Sequence, residues 1–138
     1  MPKKKPKKYG TSDATLSRLW RLVVKKQFCN RCIICHNPNV NELECHHIVH
    51  VRCKILRWDW RNGVPVCSPR LTGRSCHAYC DTLNGREFVR LHIKPEDWEF
   101  IKDHENIIHK DYLRENNLSE TDWRLQVKAE LEGIINGI

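Results

Sequence analysis

No run of apolar residues in this sequence approaches the roughly 20 that are needed to cross a bilayer, so we expect no membrane association. No apolar stretch follows the lysine-rich start of the chain either, so we expect no secretory signal. In a reducing compartment, the eight cysteines are better explained as metal ligands than as disulfides. Together these absences predict an intracellular, cytoplasmic protein.

Acidic residues are absent from the first eight positions. Removing the five lysines of these positions from the chain's 24 basic residues leaves 19, against 17 acidic ones. The net charge of +7 therefore belongs mainly to a tail, residues 1–12, which we predict to be flexible and to contact nucleic acid phosphates. A solubilising tail and a nuclear-localisation signal have a similar composition, so a nuclear location stays open. The lysines of the tail are Lys3, Lys4, Lys5, Lys7 and Lys8.

At 138 residues the chain is long enough for one small domain, whose marginal core a structural metal would help to stabilise. Apolar residues at helical spacing, preceded by Ser12 or Asp13 as a cap, predict an N-terminal helix over residues 13–28. Residues 29–84 contain all the cysteines and most of the histidines. Residues 85–138 are predicted to form a helical C-terminal region.

Two short strands are predicted over residues 42–51 and 63–67. A helix is predicted over residues 76–83, and the dipeptide Asn84-Gly85 is expected to end it. Together with the flanking helices, this order predicts an α+β fold.

Two pairs of cysteines are spaced for a structural zinc ion. Cys32 and Cys35 form a CxxC half-site, because this spacing lets two thiolates of one tight turn bind the same tetrahedral ion. Cys67 and Cys76 are the candidates for the other half, although the segment between them is longer than the usual two residues. The remaining cysteines are two alternative ligands, Cys80 for Cys76 and Cys29 for Cys32, and two expected buried thiols, Cys45 and Cys53.

Histidines and an asparagine lie between and beside these cysteines. In chain order stand Glu44-Cys45-His46-His47-Ile48, Asn62-Gly63-Val64-Pro65-Val66-Cys67 and Cys76-His77. This order resembles the motif of the HNH (His-Asn-His) endonucleases in their zinc-supported CxxC form, and the resemblance covers residues 29–84. The CxxC spacing and the helical C-terminal region also resemble, more distantly, the phage NinG-type recombination nucleases. The resemblance implies a bacterial or phage-encoded protein.

The resemblance implies a small ββα-metal (His-Me finger) core with flanking α-helices and one catalytic divalent ion, Mg²⁺ or another. His46 and His77 stand at the positions of the metal ligands. His47 stands at the position of the general base, and Asn62 at that of an asparagine that braces a loop and so orients the base. His50 stands where the family often has proline. The implied reaction is hydrolysis of DNA phosphodiester bonds to 5′-phosphate and 3′-hydroxyl ends.

The residue types suit this chemistry. A neutral imidazole, with an ordinary pKa of about 6.5, can take a proton from water near neutral pH. A divalent ion can stabilise the leaving 3′-oxygen. Adjacent strand residues point to opposite faces, so His46 and His47 can share a site only where the chain twists or bulges. The alternative is that both are zinc-site or surface histidines.

Basic residues near the proposed site are expected to position phosphates rather than to read bases. They are Arg52, Lys54, Arg57, Arg61, Arg70 and Arg74. Trp58 and Trp60 alternate with charged residues, and we expect them to pack in the core rather than to stack on a base.

Two other functions compete with a nuclease. A zinc-stabilised module that binds nucleic acid without cleaving it would use the same cysteines and tail, but it has no need of His47 or Asn62. A structural zinc domain that contacts proteins through its C-terminal helices leaves the lysine tail and the loop arginines unexplained. DNA specificity, nicking or double-strand cleavage, biological role and oligomeric state stay open.

Overall fold

A computed structural model describes residues 11–137 of the chain. The lysines of the predicted tail lie outside these residues. The described elements are α1 (Asp13–Gln27), the 3₁₀ turn Val40–Glu42, β1 (Leu43–His47), β2 (Gly63–Cys67), α2 (Pro69–Thr72), α3 (Cys76–Cys80), α4 (Leu83–His92), α5 (Pro95–His104), α6 (His109–Glu115) and α7 (Glu120–Ile135). Helices with one small antiparallel sheet make this the α+β class that the sequence predicts. None of the described helices is long and apolar enough to span a membrane.

The N-terminal helix matches the sequence prediction closely. Ser12 caps α1 by accepting a hydrogen bond from the backbone N–H of Thr15 (3.1 Å). The apolar stripe of α1 is buried and packs against both strands and α7. Lys26 donates to the last carbonyl oxygens of α7, those of Ile134 and Ile135 (3.1 Å each), where a cation complements the helix dipole.

The two strands pair antiparallel, with Leu43 opposite Cys67 and His47 opposite Gly63. Every residue of β2 is buried, whereas β1 is fully buried only at Leu43. The observed β1 is shorter than the predicted strand, because the chain leaves the sheet after His47 and enters the loop 48–62. This loop therefore starts directly beside the paired histidines.

The helix that begins at Cys76 ends before the predicted position, and Asn84-Gly85 starts α4 instead of ending α3. Thr82 caps α4 by accepting a hydrogen bond from the backbone N–H of Gly85 (3.0 Å). A Cβ atom on Gly85 would lie 1.7 Å from the carbonyl oxygen of Tyr79. Glycine is needed here because it permits the close approach of α3 and α4 rather than because it stops a helix.

Two groups of buried residues stabilise the fold. One joins α1 to α7 through the tryptophans Trp58 and Trp123. Trp58 is 3% exposed, as its predicted core position requires, and Trp60 is half-buried, with its indole N–H donating to a carboxylate oxygen of Glu130 (3.1 Å). The other group surrounds the CxxC turn and β2 and reaches α4 and α5. The second group thus connects the cysteines to the C-terminal helices.

Candidate metal centre and catalytic cleft

Four sulfur atoms gather where the CxxC turn meets β2 and α3. Within 4.8 Å of one another lie the Sγ atoms of Cys32, Cys35, Cys67 and Cys76. The N–H of Ile33 donates to the carbonyl oxygen of Pro65 (2.9 Å), which ties the CxxC turn to β2. No other group of three or more Cys, His, Asp or Glu side chains within residues 11–137 comes as close together. The four cysteines are therefore positioned to hold one metal ion.

The electrostatics of the cluster suit a cation. Burial raises the pKa of Cys76, and a neighbouring thiol raises it further, since crowded thiolates repel one another. Burial also raises the pKa of Cys35, but hydrogen bonds from the Asn37 backbone and the Cys67 and Arg74 side chains outweigh it and lower the pKa to about 6. A divalent ion would offset the repulsion, and four cysteines are a common tetrahedral set for structural zinc.

The structure separates the cluster from the other thiols. Cys76 belongs to the cluster, whereas its alternative Cys80, one turn later on α3, is buried beside a cleft. Cys29, the alternative to Cys32, is exposed and outside the cluster. Cys45 and Cys53 are half-buried rather than fully buried. All eight cysteines are free thiols, and none forms a disulfide.

A cleft of about 360 Å³ lies beside the end of β1. His46 and His47 both line it, although neighbouring strand residues point to opposite faces. They can do so because His47 is the last residue of the strand, at the point where the chain turns into the loop. Helices α4 and α5 also line the cleft and contribute Arg86 and Lys102, and the carboxylates Asp81 and Glu105 line it as well.

His77, which is not among the residues that line the cleft, contacts the ring of His46. Their ring centroids lie 5.0 Å apart, with the rings nearly perpendicular. Burial, followed by the charge of His77, lowers the pKa of His46 to about 4, so its ring is neutral at neutral pH. Nδ1 of His77 is hydrogen-bonded to a carboxylate oxygen of Glu44. Two imidazoles that the sequence separates by thirty-one positions are thus brought together.

The ring of His47 is fixed from two directions. It stacks on the indole of Trp20, with ring centroids 4.1 Å apart and planes inclined by 10°. Its Nε2 lies 2.9 Å from the carbonyl oxygen of Arg57, and because a carbonyl only accepts, we assign the proton to Nε2. Nδ1 then carries the lone pair. Burial lowers the pKa of His47, against the opposing effect of this hydrogen bond, so the neutral form dominates at neutral pH.

Asn62 holds the loop that carries this carbonyl group. Its amide is fully buried, and Oδ1 accepts from the N–H of Val49 (2.7 Å). Nδ2 donates to the carbonyl oxygens of Val49 and Leu56 (3.0 Å each). The Leu56 carbonyl belongs to the peptide next to the one that binds His47. Asn62 therefore braces the loop one residue away from the contact that orients His47.

The predicted phosphate contacts are not equally free. Four arginines donate hydrogen bonds within the protein: Arg52 to His50, Arg57 to the Val51 carbonyl, Arg61 to Asp59, and Arg74 to the Cys35 sulfur. The guanidinium carbon of Arg61 also lies 3.3 Å from the ring centroid of Phe100. Arg61 is therefore committed to packing, whereas Lys54 and Arg70 are exposed. The five tail lysines lie outside the described residues.

Sequence reasoning missed three side chains near the cleft. Arg86 and Lys102 carried no signal, because they lie in helices whose position beside the cleft could not be read from spacing. Glu44 did carry one: it precedes His46 by two residues on the same strand, which places both on one face. A strand-based reading would have found a carboxylate beside the histidine pair.

Comparison with known proteins finds no matching family model, no matching curated protein and no matching solved structure.

Proposed function

We propose that the chain is a metal-dependent DNA endonuclease of the HNH type, which hydrolyses phosphodiester bonds on a ββα-metal core formed by β1, β2 and α3. One observation carries the proposal. The buried amide of Asn62 braces the loop whose Arg57 carbonyl binds Nε2 of His47, a residue that lines the cleft and whose lone pair is then assigned to Nδ1. A histidine in a purely structural role needs no such arrangement.

In the proposed reaction His47 acts as the general base. A water in the cleft gives a proton to Nδ1 while its oxygen attacks phosphorus. The bond from phosphorus to the 3′-oxygen breaks, and the 3′-oxygen takes up a proton from solvent water to become the 3′-hydroxyl. The Arg57 carbonyl continues to accept from Nε2 and stabilises the imidazolium that forms. The lowered pKa of His47 keeps the ring neutral, and therefore able to act as a base, at neutral pH.

The catalytic ion would be held by His46 and His77. The donor set fits, because the two ring centroids lie 5.0 Å apart and the depressed pKa of His46 leaves its ring unprotonated. When bound, the ion would contact the scissile phosphate and stabilise the charge on the leaving 3′-oxygen. The four-cysteine cluster would hold a separate structural zinc ion, which joins the CxxC turn to β2 and α3.

Charges of both signs line the cleft: the cations Arg86 and Lys102, and the carboxylates Asp81 and Glu105. Lys102 also pairs with Glu105 (3.3 Å), so a phosphate that binds Lys102 would compete with that carboxylate. Lys102 lies over the ring of Trp98, with Nζ 4.9 Å from the ring centroid. Cations in this position can bind the phosphates on either side of the scissile bond. The lysine tail would add salt-dependent affinity at a distance from the cleft.

A zinc-stabilised module that binds nucleic acid without cleaving it is the second candidate. It is favoured by the contrast between the two metal sites: the cysteine cluster has four donors, whereas the histidine pair has two. It predicts the same zinc content and the same DNA binding, with no hydrolysis.

The deciding experiment incubates the zinc-loaded protein with supercoiled plasmid and Mg²⁺, Mn²⁺ or Ni²⁺. We expect nicked or linear product from the unmodified protein and none from His47→Ala. His92→Ala is the matched control, since His92 is an exposed histidine of α4 outside the cleft. DNA binding without cleavage in any metal would favour the second candidate. Equal cleavage by His47→Ala would overturn the assignment of the base.

A further inference from the structure

Glu44 on β1 has no role in the reaction proposed above. It lies two residues before His46, and its carboxylate accepts a hydrogen bond from Nδ1 of His77 on α3. The side chains are about one-third exposed, 37% for Glu44 and 33% for His77. Exposed pairs of this kind contribute little to stability, so packing alone does not explain why a carboxylate is directed at this ring.

The contact selects one tautomer of His77. A carboxylate only accepts, so the proton of a neutral His77 ring lies on Nδ1, and Nε2 carries the lone pair. A histidine that binds a metal through one ring nitrogen commonly donates the other N–H to a carboxylate, which fixes the ring and makes the ligating nitrogen more basic. Glu44 and His77 show this arrangement beside the His46 ring, 5.0 Å away.

We infer that Glu44 is the positioning residue of the catalytic metal site: it holds the His77 ring so that Nε2 is available to a divalent cation beside His46. This inference rests on the proposed function for the identity of the site. Three residues of β1 would then have a role in the site: Glu44 orients a metal ligand, His46 binds the ion and His47 accepts the proton.

A direct ligand role for Glu44 agrees less well with the structure. Within residues 11–137, the cysteine cluster is the only group of three or more Cys, His, Asp or Glu side chains arranged so that it could hold a metal ion. Glu44, His46 and His77 therefore do not form a three-donor cage. The carboxylate instead contacts the nitrogen of His77 that a metal bound through Nε2 would leave free. Glu44 thus acts through His77.

Two readouts besides activity test the inference. The first is the His77 tautomer, measured by two-dimensional ¹⁵N NMR of the zinc-loaded protein without added divalent ion. We expect Nδ1–H in the unmodified protein and in Glu44→Gln, whose amide oxygen still accepts, and loss of this preference in Glu44→Ala. The second is the dissociation constant for Mn²⁺, measured by electron paramagnetic resonance. It should rise about 10–100-fold in Glu44→Ala.

The matched control is Glu87→Ala, which removes the same charge from a glutamate of α4 that pairs with Arg90 instead. It should change neither readout, and an unchanged zinc content in every variant shows that the fold is retained. Unaltered Mn²⁺ affinity in Glu44→Ala would overturn the inference. The inference would also be overturned if Glu44→Gln kept the His77 tautomer but lost as much Mn²⁺ affinity as Glu44→Ala. That result would make Glu44 a direct ligand of the ion.

The outcomes also separate this inference from the proposed function. If neither DNA cleavage nor Mn²⁺ binding depends on Glu44, the positioning role is wrong and the nuclease proposal is unaffected. Binding of Mn²⁺ that depends on Glu44, in a protein that cleaves no DNA, would remove the nuclease and leave the positioning role. Absence of Mn²⁺ binding by the unmodified protein would overturn the metal site itself.

Discussion

Removal of the Asn62 side chain should destabilise the protein more than removal of any exposed amide. Asn62→Ala deletes three hydrogen bonds and leaves the N–H of Val49 and the carbonyl oxygens of Val49 and Leu56 without these partners. A buried polar group that loses its partner costs about 1–3 kcal/mol. Val49 is half-buried, so water can satisfy part of the loss, and the Leu56 carbonyl oxygen still accepts from the N–H of Asp59 (3.2 Å). We therefore expect the free energy of unfolding to fall by about 3–5 kcal/mol.

Urea unfolding, followed by tryptophan fluorescence at a fixed zinc concentration, measures this change. Asn41→Ala is the matched control, because Asn41 is an exposed asparagine of the 3₁₀ turn. Its effect should stay within about 0.5 kcal/mol. Asn62→Asp keeps an acceptor for the N–H of Val49 but places a carboxylate oxygen against two carbonyl oxygens, so it should be destabilised at neutral pH as well.

The same variants test the link to His47. The folded fraction of Asn62→Ala should cleave DNA more slowly than the unmodified protein, because the Arg57 carbonyl that orients His47 would no longer be held beside it. A stability loss below about 1 kcal/mol would refute the reasoning about the brace. Full cleavage by a destabilised but folded Asn62→Ala would refute the connection between the brace and the base.

Three further predictions concern the strand start, the zinc ligands and the cleft wall. Gly63→Ala places a Cβ atom 2.5 Å from the ring of Trp20, which stacks on His47. We expect a lower thermal unfolding midpoint together with slower cleavage. A variant in which both are unchanged would contradict this packing. Cys76→Ser should lose the zinc that Cys80→Ser retains, as measured by metal analysis; the reverse would exchange the two cysteines. Lys102→Gln should reduce the slope of log affinity against log salt by about 0.9, the value for one lost phosphate contact. Lys94→Gln, at the other end of α5 and outside the cleft, should leave the slope unchanged. Equal slopes for the two variants would exclude Lys102 from phosphate contact.

Elements that depend on near neighbours are predictable from this sequence. The start of α1 follows from Ser12 and the apolar stripe behind it, because a cap and a helical stripe act within one or two turns. The β2 strand likewise spans the predicted residues 63–67. Gly85 shows where local reasoning fails. The contact that requires glycine is with Tyr79 in another helix, and a helix stop has the same local signature.

For the site, the residue types, their order and the spacing of the CxxC turn can be read along the chain, because these are properties of neighbouring positions. Three placements follow from the folded arrangement instead: Cys76 rather than Cys80 joins the cluster, Glu44 contacts His77, and Lys102 reaches the cleft. These placements depend on how α3 packs against β2, how α4 packs against α3, and how α5 packs against α4. Such packing is a sum of contacts between residues distant along the chain, and no local pattern encodes it.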